Sequence, residues 1–246
     1  MFALIALAII MGATAQRVSG LGFALTVAPF LVLLIGPFDG VLMVNLAAAV
    51  SAAFVMTRLW RNIDWRQFVS LTIPALIAVV PGAYISVLLG GPELQIAVGL
   101  ILVVALSTSL LVSSAQKTVP QIPAALLSGT ASGFMSATAG AGGPGVAVYS
   151  VLTRWEHRSF AATIQPFFVS LGVTSFVTKI LLSEQGLPDY EWWVWPLIIS
   201  CTLVGLTLGE WVSRFVSVRV ARISVIAISY VGGLAAIVDG LFDALG

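Results

Sequence analysis

The sequence predicts an all-α polytopic membrane protein built from two inverted repeats, each a re-entrant, broken-helix hairpin followed by three transmembrane helices. Three observations predict it. First, 59% of the 246 residues are hydrophobic and only 9% are charged, whereas a soluble domain carries about 25% charged residues. With a mean hydropathy of +1.09, a lipid solvent is the reading the composition supports. Second, two long apolar runs are each interrupted by a glycine-rich segment, and these interruptions occur at matching positions. Third, Lys and Arg are gathered into a few loops rather than scattered.

The simple spans come first. Val41–Thr57, Phe68–Leu89, Leu94–Val112, Phe160–Leu182, Trp192–Leu208 and Ile223–Leu241 are apolar runs close to helix-spanning length. About 20 helical residues cross ~30 Å of hydrocarbon. The long runs differ. Phe2–Gly36 is interrupted by the segment from Gln16 to Gly22, and Ile122–Leu152 by the segment from Thr138 to Gly145. Most of the resulting pieces are about 10 to 16 residues long. They reach the bilayer centre without comfortably crossing it. Unpaired backbone at that depth is tolerated only against protein or a wet cavity. The apolar sequence starts at Phe2 with no basic leader or cleavage pattern, so Phe2–Ala15 is expected to be structure.

Gly20-Leu21-Gly22 aligns with Gly140-Ala141-Gly142 at an offset of 120, which also pairs Asn45 with Gln165. Later in each half an offset of 127 pairs Asp64-Trp65 with Glu191-Trp192, and Gly82 with Gly209. Two homologous halves follow, 1–115 and 120–246, joined by the polar stretch around Lys117 and Pro120. Arg58, Arg61, Arg66, Lys117, Arg154, Arg158, Arg214, Arg219 and Arg222 lie in loops that the positive-inside rule places in the cytoplasm. The loops around Asp39, Glu93, Glu184–Glu191 and Asp239–Asp243 contain no Lys or Arg and belong outside. The run Ile122–Leu152 must then return to the side it starts from, and if the first run is also a hairpin the N-terminus is outside. The Asp64-Trp65 loop is expected inside and the Glu191-Trp192 loop outside, so the halves are inverted, an arrangement common in secondary transporters.

Candidate functional residues cluster at the breaks. Arg17 lies inside an apolar run, where a cation costs about 2.5–3.5 kcal/mol. It either neutralises an anionic guest, with Gln16 and Ser19 beside it, or bonds backbone carbonyls freed at the break. Helices restarting near Gly22 and Gly143 would aim free N–H groups and positive dipole ends at a shared cavity. Gly20, Gly140 and Gly142 let the backbone approach a ligand closely. Thr14, Ser136 and Thr138 add hydroxyls. Asn45 and Gln165 are either ligand contacts or glue between helices.

The remaining polar residues have plainer expectations. Lys179 is expected to snorkel to the outer surface, and Glu210 to pair with Arg214 at i,i+4 spacing. Trp60, Trp65, Trp192, Trp193 and Trp195 fit interfacial belts. Cys201 is alone and His157 sits in a charged loop, so no metal or cofactor site is expected. Ser19 has no base for hydrolysis chemistry, so no enzyme is expected. The net charge of +1 gives no basic face for nucleic acid. The expected partners are a small anion and membrane lipid, with homo-oligomerisation left open.

The stretch from Ser19-Gly20-Leu21-Gly22 to Pro29, the stretch Gly133–Gly145 with Gly140-Ala141-Gly142-Gly143, the aromatic pair Trp65 and Trp192, and the pair Gly82 and Gly209 together resemble the TauE/SafE family of sulfite exporters. The similarity covers essentially the whole chain. It implies a secondary transporter of the bacterial inner membrane for sulfite, thiosulfate, organosulfonates or related anions. An anion channel, a carboxylate transporter of the same fold and a non-transporting assembly factor are the alternatives.

Overall fold

The computed structural model describes residues 1–20, 22–112, 119–184 and 186–245. Lys117 and Leu21, both used in the sequence reading, lie outside the described residues. Among those described, the chain forms ten α-helices, one 3-10 turn and no strand. Seven helices are long and apolar enough to cross a membrane.

The first half begins with α1 (Phe2–Ser19) and α2 (Phe23–Ile35). Gln16, Arg17, Val18 and Ser19 contain no helix breaker, and Ser19 Oγ turns back to the Ala15 carbonyl. The helix therefore runs on to Gly20, whose φ of 89° closes it in a left-handed cap. The second half repeats this form. Helix α6 (Gln121–Ala139) ends at Gly140 with φ 69°, and α7 (Gly143–Leu152) restarts after Gly142 with Pro144 in its first turn. The first arms are longer than the sequence pieces implied, with 18 residues in α1 and 19 in α6. Polar residues next to a break extend a helix when their side chains can bond their own turn. The return arms, with 13 and 10 residues, are too short to cross ~30 Å.

The other helices are α3 (Pro37–Leu59), α4 (Trp65–Leu89), α5 (Gly91–Val112), α8 (His157–Leu182), α9 (Val194–Val212) and α10 (Val218–Leu245). Acidic caps start α4 and α8. Asp64 accepts from the Arg66 and Gln67 amides, and Glu156 from the Arg158 and Ser159 amides.

Packing is reciprocal between the halves. Helix α1 lies along α9 and α6 along α4, α2 contacts α10 and α7 contacts α5, while α3 meets α8 and α5 meets α10. Small residues permit the close approaches. A Cβ on Gly133 would sit 2.0 Å from the Ala75 carbonyl oxygen, and one on Gly205 2.6 Å from that of Ile10. The paired glycines are used alike. Gly82 abuts Phe134 and Ala137 on α6, and Gly209 abuts Thr14 and Arg17 on α1, positions that themselves match at the offset of 120.

Contacts fix the two ends of the bundle. Lys179, near the end of α8, lies over the Phe38 ring at the start of α3. The Asp64 amide, after α3, donates to Thr163 near the start of α8. Helices α3 and α8 are thus antiparallel. Tyr190 bonds Asp39 and Phe2 stacks edge-on with Trp193, so the Tyr190–Trp193 segment shares the Lys179 end, opposite Asp64. Large apolar side chains such as Ile77, Leu127, Leu181 and Val231 are exposed around the outside, as a lipid-facing surface requires.

Candidate functional site

A cavity of about 40 Å³ lies where the two broken helix pairs meet. From α1 comes Gln16, and from the first turn of α2 come Phe23, Ala24 and Leu25. The second half supplies Ser136, Gly140, Gly142 and Gly143. Between them, Asn45 and Ala48 on α3 face Phe168, Leu171 and Gly172 on α8. Three pairs of lining residues, Gln16 with Ser136, Phe23 with Gly143 and Ala48 with Phe168, match at the offset of 120. Among the described residues, no acidic side chain lines the cavity.

Polar groups here are held in defined positions. Asn45 Nδ2 donates to the Ser136 carbonyl at 3.1 Å, and Ser136 Oγ donates back to Asn45 Oδ1 at 3.1 Å. This two-way bond ties α3 to α6. Ser51 Oγ donates to Gln16 Oε1 at 2.9 Å, which fixes the amide and leaves its two N–H donors for the cavity. Neither α2 nor α7 has a side-chain cap. Their first-turn amides are therefore free donors beside the cavity, with the positive ends of both helix dipoles.

The other sequence-predicted residues lie differently. Gly20 is exposed at the break, and Gly22 is the buried cap of α2. Ser19 and Thr138 both turn their hydroxyls to their own helices, onto the Ala15 and Phe134 carbonyls. Gln165 is buried, with Nε2 on the Ala161 carbonyl and Oε1 without a partner among the described residues. None of these four side chains or glycines at Ser19, Gly20, Thr138 and Gln165 is among the cavity's lining residues.

Arg17 points away from this cavity. Its guanidinium is 3.4 Å from Glu210 Oε1, and Arg58 Nη1 is 2.6 Å from Glu210 Oε2. The acidic partner missing from the sequence reading is therefore Glu210, which pairs with Arg17 and Arg58 rather than with Arg214. Helix packing of α9 on α1 brings Glu210 there, and i,i+4 spacing along one helix could not reveal it. Arg17 and Arg58 border a second cavity of about 110 Å³, with Phe54, Val55, Leu59 and Leu206. Two cations share one carboxylate, so this end keeps a net positive charge.

Lys179 also departs from expectation. It does not snorkel: its side chain is 0% exposed. Phe23 and Phe168 were not anticipated in the cavity either. The repeat offset, which pairs Phe23 with the predicted Gly143, was the signal for the first of them.

The sulfite exporter TauE/SafE family model matches residues 4–236. No curated protein and no solved structure matches the chain. The chain belongs to the sulfite exporter TauE/SafE family, and it is a multi-pass membrane protein of a transporter family.

Proposed function

We propose that this TauE/SafE-family protein moves small sulfur-containing oxoanions, of the sulfite, thiosulfate and organosulfonate class, outward across a bacterial inner membrane by alternating access. One observation carries the reading: two uncapped helix starts, one from each half, face a single cavity that contains amides and hydroxyl-bearing neighbours but no carboxylate. Converging N–H groups and dipole ends favour a negative guest. The Gln16 amide and the backbone at Gly142 and Gly143 bind it, Gly140, whose N–H is held by the Ser136 carbonyl, leaves room for the approach, and Asn45 positions the wall. Gly20 and Gly22 shape the first break, while Ser19, Thr138 and Gln165 steady the helices around it.

The positive-inside rule supports a cytoplasmic position for the Arg17–Glu210–Arg58 cluster. There Arg17 draws anions into the larger cavity before they reach the central one. Outward movement of an anion is downhill when the interior is negative, by about 2.3 kcal/mol per charge per 100 mV. Two inverted halves, 1–115 and 120–246, would rock about the α3–α8 contact. The reciprocal packing of α1 on α9 and α6 on α4 supports this.

Calorimetric titration of purified protein with sulfite, thiosulfate, a sulfonate and a carboxylate tests the substrate class. Saturable flux with counterflow in proteoliposomes is expected of a carrier. Absence of heat with every sulfur oxoanion, alongside clear heat with a carboxylate, would sink the sulfur assignment.

A further inference from the structure

We infer that Lys179 is a second anion-binding position, on the outward side of the central cavity, for the same oxoanion; the inference rests on the reading just given. The side chain of Lys179 is fully buried, and its Nζ has no hydrogen-bond acceptor among the described residues. Its close neighbour is the Phe38 ring, 4.7 Å away. A buried ammonium offers three donors and is costly without partners. A structural lysine at this position would be expected to reach an acceptor.

The carboxylate that could serve has another partner. Asp39, next to Phe38 on α3, accepts the Tyr190 hydroxyl at 2.8 Å, and no ion pair within 4.0 Å joins it to Lys179 among the described residues. No ion pair among the described residues therefore ties Lys179 to a carboxylate.

Placement on the helix connects it to the cavity. Gly172, Ser175 and Lys179 fall at i, i+3 and i+7 on one face of α8. Gly172 lines the central cavity. Ser175 Oγ, one turn on, is also buried without a partner among the described residues, and Lys179 follows about 10 Å beyond Gly172 at 1.5 Å per residue. Two unpartnered donors therefore lead from the cavity towards the Asp39–Tyr190 end. A lysine Nζ with a serine hydroxyl one turn away can donate several hydrogen bonds to an anion with several acceptor oxygens.

Sulfite titrations of wild type, Lys179→Met, Lys179→Arg and Asp39→Asn test this, each with ligand-free melting in the same detergent. Lys179→Met should weaken sulfite binding about tenfold or more, as loss of a charged hydrogen bond does, while its ligand-free Tm equals or exceeds wild type because a buried polar group without a partner is gone. Lys179→Arg should keep most of the affinity. Asp39→Asn should bind sulfite at least as well as wild type. Undiminished binding by Lys179→Met, with wild type binding normally, overturns the inference and leaves the proposed function standing. A lowered ligand-free Tm in both Lys179→Met and Asp39→Asn overturns it too, since that marks a structural ion pair. Chloride displacing sulfite as well as sulfite itself does would overturn the oxoanion assignment. If wild type binds no sulfur oxoanion, the proposed function fails first.

Discussion

Gln16 and Asn45 differ in how much of each side chain is left for a guest. Both ends of the Asn45 amide are spent on Ser136, so Asn45→Leu strips partners from Ser136 and should cost about 1–3 kcal/mol of stability. Gln16 uses only its oxygen, on Ser51. Gln16→Leu should therefore lower Tm less and weaken sulfite binding more, by roughly tenfold if two donors to a charged guest are lost. Calorimetry and thermal melting on the same pair of variants separate the two roles; the reverse ranking would exchange them. Glu156 gives a pH test. Amides of Ser159 and Arg158 hold its carboxyl below the usual carboxylate range. A depressed folded value stabilises the protein above the unfolded pKa and is lost as pH falls through the folded one. Glu156→Gln should thus melt below wild type at neutral pH, with the gap closing in acid. At this level the sequence revealed the polar residues but not their partners. Gln16, Asn45 and the glycines Gly140, Gly142 and Gly143 were legible because a polar or broken stretch inside an apolar run demands a cavity. Glu210 as the partner of Arg17, and the burial of Lys179, depend on packing between helices distant in sequence.

Helix breaks were the easiest elements to read, because glycine is the residue that tolerates the positive φ at which both first arms end. The lengths of α1 and α6 were not, since nothing in Gln16–Ser19 stops a helix. The two capping glycines are not equivalent. A Cβ at Gly20 meets nothing within 4 Å, whereas one at Gly140 comes within 3.1 Å of Val44 Cγ1. Gly20→Ala should then cost only the left-handed backbone strain, about 1–2 kcal/mol. Gly140→Ala adds crowding against α3 and also intrudes on the cavity lining, so it should lose anion binding as well as stability. Equal binding by both variants would remove Gly140 from the cavity wall. The interhelical glycines work through contact instead. Gly133→Val would drive side-chain carbons into the Ala75 carbonyl and separate α6 from α4, and overpacking of this sort costs about 1–3 kcal/mol or more.

The arrangement of the halves makes the strongest demand on the protein in its membrane. Asp64 bonds Thr163 at the start of α8, while Lys179 at the far end of α8 sits by Phe38, one residue from the Asp39 that binds Tyr190. The Asp64-Trp65 and Glu191-Trp192 loops, equivalent by the repeat offset, are therefore one membrane-length helix apart. That separation is what inversion requires, and parallel halves would put both loops at one end. Single cysteines at Arg61 and Glu191 give a direct check, with Cys201 replaced by serine or left in place, since it is buried in α9. A membrane-impermeant maleimide applied to intact cells should label the cysteine at 191 and spare the one at 61 until the membrane is opened. Labelling of both from the same side would leave α8 without the span its own 26 residues supply, and the two uncapped helix starts could then no longer approach one cavity from opposite faces. Sided labelling is thus a test of the transport cycle as well as of topology: a site reached from both faces by turns needs two halves that exchange roles, and only opposed halves can do so by the same motion.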